Sequence, residues 1–462
     1  FVPKMKNIFW LCFSILPYSV VSFIPPIFLS KFLPISRSHQ NRLRSSFFLE
    51  SSIQSLDNFF KTTSSNSHFR DTFWQKTPHI FEFTIPESAF QMVDLKFAVD
   101  TDFLEAGRGT FQDGRSGWNM APVSAPKGKS FQDAKLQFND VLMALTQKNG
   151  TVVFNSAGGF IPKLAVVCLD STNSLQLPLA VNMYLTNPGQ QTSAPPHTDK
   201  QDVFVFQQEG YKRWRVYAPP APSRMQRADP FARGKGLDVL SFVELAPPLL
   251  DLVLGPGQVL YVPAGFPHTT DTLVPAEFAS SGPSLHLTVG VDCLIWGLTF
   301  AHLRGMALRR AGLDDKLQLT KLEPPVFWRL HNSLPLGFLS SEGVSEEERA
   351  KEIEQQLITR MCEAEPRRWT SPAEAQQQVD ALPCIHRLLQ HHRDITATFK
   401  AMYADVGFKQ SPVSMDLSLF RSQPYFLRLE ETMGQLQKWV ADNQKTPADA
   451  AAGKARGKSK RR

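Results

Sequence analysis

Between about Leu164 and Gly297 short apolar runs alternate with turns, and each run has the length of a strand rather than of a helix. The clearest are Val203 to Phe206, Trp214 to Tyr217, Val259 to Val262 and Leu285 to Val291. In the last, Leu285, Leu287, Val289 and Val291 face one way and His286, Thr288, Gly290 and Asp292 the other, so one side of this strand is polar enough to line a pocket. The spacing is that of an all-β sandwich or barrel. After Gly297 the period turns helical over Leu298 to Leu313, Glu346 to Cys362, Pro372 to Leu382 and His386 to Tyr403. Ahead of the barrel, Asp57 to Thr77 reads as helix, a loop then enters a strand from His79 to Phe83, and Gly and Pro between Gly107 and Lys129 mark an exposed loop.

These patterns divide the chain into a leader (1–50), a flank to the barrel (51–163), the barrel (164–297), a helical region (298–345), a C-terminal domain (346–443) and a tail (444–462) rich in Ala, Gly, Lys and Arg that reads as disordered. The fold class expected is α+β.

The formal charge of +7 suggests an anionic partner until it is located. Lys4, Lys6, Lys31, Arg37, Arg42 and Arg44 precede the first acidic residue, and Lys454, Arg456, Lys458, Lys460, Arg461 and Arg462 follow the last. Without these twelve the rest of the chain carries −5, so no nucleic-acid face is indicated on the folded body. Cys12, Cys168, Cys293, Cys362 and Cys384 are scattered and odd in number, which fits a reducing compartment better than a disulfide framework.

The leader carries an apolar run from Ile8 to Ile24, interrupted by Pro17, and then a Ser- and Arg-rich stretch free of acidic residues to about Phe48. Signal-like and transit-like parts in that order resemble a bipartite plastid-targeting address. A single membrane anchor is the alternative, disfavoured by Pro17 and Pro25-Pro26. The basic tail suits a nuclear or nucleolar address instead.

His197-Thr198-Asp199 places two side chains two residues apart, able to reach one ion from the same side of a strand. Alone the pair is weak evidence. It follows a loop with Gly189 and Pro195-Pro196 and precedes an apolar strand, a position at the mouth of a sandwich. Gly255 to His268 then supplies a turn, a strand, a second turn and a histidine, which makes His268 a better third ligand than His286. Two His and one carboxylate on one face of an octahedral iron(II) leave positions for a bidentate oxo acid and dioxygen. Such an acid needs a cation for its far carboxylate, and Lys212 shares a strand face with Trp214 and Val216. By itself Lys212 reads as a strand-end lysine with its ammonium in water. Beside the His/Asp/His set the anion-binding reading is preferred.

The segment His197 to Tyr217 together with Leu254 to His268 resembles the JmjC-type ribosomal oxygenases, a family that includes bifunctional lysine-specific demethylases and histidyl-hydroxylases. The resemblance implies a double-stranded β-helix of cupin or jelly-roll type, followed by a helical dimerisation region (Leu298 to Phe338) and a winged-helix-like C-terminal domain. It implies Fe(II) on His197, Asp199 and His268, with 2-oxoglutarate and O2 as co-substrates and Lys212 gripping 2-oxoglutarate. Asn182 and Tyr184 would line the co-substrate pocket, with Thr288 and His286 near its other positions; for His286 a structural role is an equal alternative. Three departures stand out: a longer loop from Asn182 to His197, Gln258 in place of an Asp, and Thr198 in place of an aromatic residue. None removes a ligand.

The function implied is hydroxylation of a His or Arg in a ribosomal protein, by a homodimer with no stable membrane anchor. Demethylation of a histone lysine by the same chemistry, a non-catalytic cupin that binds a partner, and a cupin using another metal or co-substrate are the rivals.

Overall fold

The computed structural model describes residues 56–409, apart from 83–89, 101–117, 122–137, 147–150, 155–156, 160, 221–228, 235–239, 279–281 and 337–343. The leader, the basic tail and residues 410–462 lie outside the described residues, so the expectations placed there rest on sequence.

Eleven described strands form two antiparallel sheets. The larger has the order β1 (His79–Glu82), β9 (Gln258–Val262), β6 (Asp202–Glu209), β11 (Ser284–Val291), β4 (Leu179–Thr186), β3 (Thr151–Phe154) and β2 (Trp118–Ala121). The smaller has the order β5 (Ala194–His197), β10 (His268–Asp271), β7 (Lys212–Val216) and β8 (Leu250–Leu254). Apart from β7 and β8, which are neighbours in the smaller sheet, consecutive strands along 179–291 pass back and forth between the sheets, the double-stranded pattern the apolar runs point to.

Period two explains how β6 reads as one continuous apolar run. Val203 and Val205 turn inward and pack with Trp214, Val216, Leu250, Leu254, Leu260, Val262 and Phe266 in a buried cluster between the sheets. Phe204 and Phe206 turn outward, where Phe59 and Phe60 of α1 (Leu56–Ser65) meet them edge to face. Phe69, on the π-helical turn Phe69–Phe73, adds contacts to Phe204 and Tyr261. Cross-strand partners share a face. Leu287 and Val289 of β11 lie opposite Phe206 and Phe204 on the outer side, while His286, Thr288 and Gly290 lie opposite Tyr184, Asn182 and Ala180 on the inner side. The two-sidedness of β11 expected from its alternation is present.

Two features differ from the sequence reading. The expected exposed loop between Gly107 and Lys129 contains β2, which pairs with β3 because a Trp-Asn-Met-Ala run extends the sheet edge there. The barrel also recruits β1, β2 and β3 from the flank before residue 164, while its first described element after that point is the helix running to Leu175, not a strand.

Helices α2 (Met92–Asp100), α3 (Phe138–Thr146) and α4 (Pro162–Leu175) lie before β4, with Pro162 in the first turn of α4. After the barrel come α5 (Phe300–Arg310), α6 (Pro324–His331), α7 (Glu346–Ala364), α8 (Pro372–Gln378) and α9 (Leu382–Lys409). Arg304 of α5 is buried and satisfied by Glu365 beyond α7 and by Asp315. Helix α9 packs back on α4. His392 and Thr396 donate to the carbonyl of Gln176, the left-handed cap of α4, His391 donates to that of Trp296, and Tyr403 donates to that of Leu179. These histidines serve packing, as their lack of i, i+4 spacing suggests. No helix among the described residues is long and apolar enough to cross a membrane.

Candidate active site

The inner faces of the two sheets look toward one another. At one end stands the metal-ligand set. His268 opens β10 and lies directly opposite His197, the last residue of β5; Asp199 follows two residues later. His268 Nε2 is 3.3 Å and His197 Nε2 4.0 Å from Asp199 Oδ2, and one donor atom from each residue lies within 4.8 Å of the others. Among the described residues this is the one such group of His, Cys, Asp or Glu.

The ring nitrogens facing away from the cluster are both occupied. His197 Nδ1 donates to the carbonyl of Pro195 at 2.8 Å and His268 Nδ1 to that of Phe266 at 3.1 Å. A backbone carbonyl can only accept, so Nδ1 of each ring carries a proton and Nε2 is the atom turned toward the other donors. Two imidazoles and one carboxylate, without thiolate, suit iron(II) of the facial two-histidine one-carboxylate kind.

The backbone carrying these donors is braced. Gly265 N donates to the carbonyl of Asp199, joining the turn before His268 to the loop after His197. Gly265 adopts φ +80°, and a Cβ there would meet the Trp328 ring at 2.6 Å. Ala264 N and Tyr261 Oη both donate to Asp202 Oδ1, and Gln75 Nε2 donates to Asp202 Oδ2. Despite these three donors, burial pushes the Asp202 carboxyl up to about 6.

Apart from this set, Lys212 points inward from β7, only 2% exposed. Its Nζ donates to Thr186 Oγ1 at 2.9 Å, and Thr186 in turn meets Thr151 at 3.2 Å. Asp271 raises the lysine's proton affinity from a distance but is engaged by Arg215 at 2.6 Å. Burial dominates and pulls Lys212 from 10.5 down to about 7.

The remaining expected residues lie on β4 and β11. Tyr184 and His286 stack with ring centroids 4.8 Å apart, and Asn182 pairs with Thr288. Burial, then the charge of Lys212, drives the His286 imidazole well below its usual range, so it is neutral. Trp214 spans the gap, its ring 5.9 Å from that of His268 and 5.6 Å from that of His286. The structure therefore groups His197, Asp199 and His268 as one donor set and places Lys212, Asn182, Tyr184, Thr288 and His286 on inner strand faces, with Trp214 in ring contact with both His268 and His286.

Sequence reasoning missed Thr186 as the partner of Lys212 and Thr151 as the partner of Thr186, although Thr186 follows Asn182 and Tyr184 at period two and so shares their face. It also missed Gln75, whose backbone is left-handed at φ 56° and whose side chain reaches Asp202 while accepting from Ser333 N. No local signal marks a residue whose partners lie 127 and 258 positions away.

A pocket for a bound acid should leave protein groups unsatisfied when considered by itself. Among the described residues His286 Nδ1 and Trp214 Nε1 are buried without a hydrogen-bond partner. Lys212 has no ion pair within 4.0 Å among them and is held by one hydroxyl. Buried groups of this kind are ordinarily satisfied, so donors around a buried ammonium fit an anionic ligand between the sheets.

Comparison with known proteins agrees with this geometry. Residues 162–294 match the JmjC domain family. The chain is similar to the bifunctional lysine-specific demethylase and histidyl-hydroxylase NO66 of Drosophila yakuba, 28% identical over 49% of this chain and 30% of the relative. It is similar also to ribosomal oxygenase 2 of Rattus norvegicus, 29% identical over 63% of this chain and 59% of the relative. The chain thus spans less than two thirds of the length of either. Among solved structures, the ribosomal oxygenase YcfD of Escherichia coli aligns over 63% of this chain and 65% of that one with TM-score 0.31 and 17% identity, below the level at which folds are equated.

Proposed function

We propose that this chain, a JmjC-domain protein related to the ribosomal oxygenases, is an Fe(II)- and 2-oxoglutarate-dependent oxygenase that hydroxylates a protein side chain, a His or Arg of a ribosomal protein. The observation that carries the reading is the combination of a His/Asp/His donor set with a buried lysine on β7 that has no carboxylate within ion-pair distance among the described residues.

His197, Asp199 and His268 would hold the metal, and Lys212 with Thr186 would take the distal carboxylate of the oxo acid. Iron(II) and 2-oxoglutarate supply the oxidising chemistry, in which the acid loses CO2 to become succinate and one oxygen atom of O2 enters a substrate C–H bond. The chain's own part is orientation and exclusion of water. The Nδ1 hydrogen bonds of the two histidines fix which nitrogen faces the metal. Lys212 must be charged to bind a dianion, and a carboxylate beside it restores the proton affinity that burial removes. Trp214, Tyr184 and neutral His286 would place flat rings beside the bound acid and shield it from water.

Demethylation of a histone lysine is the second reading, supported by the similarity to the lysine-specific demethylase and histidyl-hydroxylase of Drosophila yakuba. It begins with the same oxidation of a C–H bond. The helices from α5 onward support a homodimer and a winged-helix-like C-terminal domain as parts of the same proposal, since the resembled family carries both there. For location, the leader supports a plastid and the basic tail supports the nucleus or nucleolus. A C-terminal fluorescent fusion of the full chain separates the two.

Full-length protein incubated aerobically with Fe(II) and 2-oxoglutarate releases succinate, ribosomal-protein peptides containing His or Arg gain one oxygen in mass, and His197→Ala loses both. Formaldehyde release from methyl-lysine peptides without oxygen gain on the others would favour demethylation. Absence of succinate under all these conditions would point to the non-catalytic cupin.

A further inference from the structure

We propose that Thr198 is a positioning residue for the metal donors, acting by locking the turn 229–234 behind them; this rests on the oxygenase reading above. His197 and Asp199 flank Thr198 and face the metal site, so the side chain between them faces away. It is fully buried there. Thr198 N donates to the carbonyl of Arg233 at 3.0 Å, and Arg233 N donates back to Thr198 Oγ1 at 2.8 Å. The same hydroxyl donates to the carbonyl of Pro230 at 3.2 Å. One threonine thus closes both ends of the turn.

The turn is fitted closely on its other side as well. Gly234 has φ +68°, and a Cβ on it would lie 2.2 Å from the carbonyl oxygen of Pro196 and 3.1 Å from Cα of His197. Only glycine lets the turn come this near the histidine's backbone. Phe231 of the turn packs edge to face on Trp328, the residue that also covers Gly265 before His268. Lys200 and Asp229 add an ion pair at 2.7 Å, but both are substantially exposed, so it contributes little. The buried hydroxyl is the element that fixes residue 198 against rotation. Because a pivot at residue 198 displaces both flanking donors together, loss of that hydroxyl weakens metal binding out of proportion to any loss of fold stability.

The test uses the full chain under anaerobic conditions, titrated calorimetrically with Mn(II) alone, with the folding of each variant checked by circular dichroism. Thr198→Val keeps the shape and removes the hydroxyl; Mn(II) affinity is expected to fall at least ~10-fold, the scale of losses when groups orienting metal ligands are removed. Thr198→Ser restores the hydroxyl and should return affinity to within about threefold of native, a rescue that a purely packing role would not produce because Ser lacks the methyl. A folded Thr198→Val that binds Mn(II) as tightly as the native chain overturns the proposal. If that variant does not accumulate folded, Gly234→Ala moves the same turn from its opposite side: weakening on the order of 10-fold supports the proposal and unchanged affinity overturns it. A native chain that does not bind Mn(II) overturns the metal reading itself, an outcome distinct from native binding that Thr198→Val leaves intact.

Discussion

Replacing Lys212 by Met should make the ligand-free protein more stable and remove most of its affinity for 2-oxoglutarate. The ammonium is 2% exposed and its proton affinity is pulled from 10.5 to about 7. At about 1.36 kcal/mol per pKa unit, holding a charge there costs the fold roughly 4–5 kcal/mol. The group's folded pKa lies below its unfolded value, so the unfolded chain binds more protons between pH 7 and 10.5. This penalty is therefore full below pH 7 and fades as pH rises toward 10.5. Methionine fills a similar volume without the charge, and the lost bond to Thr186 offsets about 1 kcal/mol. A net gain of about 3 kcal/mol near pH 7 follows, seen as a rise in thermal midpoint on the order of 5 °C. The gain should shrink between pH 7 and 9, where native Lys212 sheds its proton. Affinity for 2-oxoglutarate, measured by calorimetry with Mn(II) present, should drop by a factor on the order of 100 or more, as expected when one partner of a buried charge pair is removed. A variant that is less stable than native, or that binds 2-oxoglutarate equally well, would refute the assignment of Lys212 as an anion clamp.

Other outcomes follow from the same contacts. Tyr261→Phe removes the hydroxyl that donates to Asp202 and accepts from Gln75 N, leaving both buried groups short of a partner, and denaturant unfolding should show a loss of about 2–4 kcal/mol. Gly290→Ala puts a methyl 2.6 Å from the Gln201 side chain, which follows Asp199 by two residues; its displacement should weaken Mn(II) binding while thermal stability changes by a few degrees at most. Gly265→Ala meets both a positive φ and the Trp328 ring, and should lower stability by at least ~2 kcal/mol together with metal affinity. Saturating Mn(II) should raise the thermal midpoint of the native chain, with excess chelator returning it and His268→Ala showing no rise.

The parts of the site legible in the sequence are those that local periodicity encodes. The alternation along β11 placed His286 and Thr288 on the inner side before any partner was known, and the face shared by Lys212, Trp214 and Val216 held for the same reason. The turn and strand from Gly255 to His268 delivered the third donor opposite His197. What escaped is what depends on register between distant segments. Thr186 was visible as a polar strand position, but its bond to Lys212 follows only once β4 and β7 are placed in facing sheets. Trp118 to Ala121 was masked by surrounding Gly and Pro, because an edge strand needs no strong propensity of its own when Thr151 to Phe154 offers it a ladder. Thr198 shows the limit most sharply. Its sequence context identified it as the spacer between two ligands, and a spacer has no expected chemistry; only the approach of residues 229–234, with its two carbonyls and one N–H converging on the same threonine, turns that position into a fastening for the metal donors.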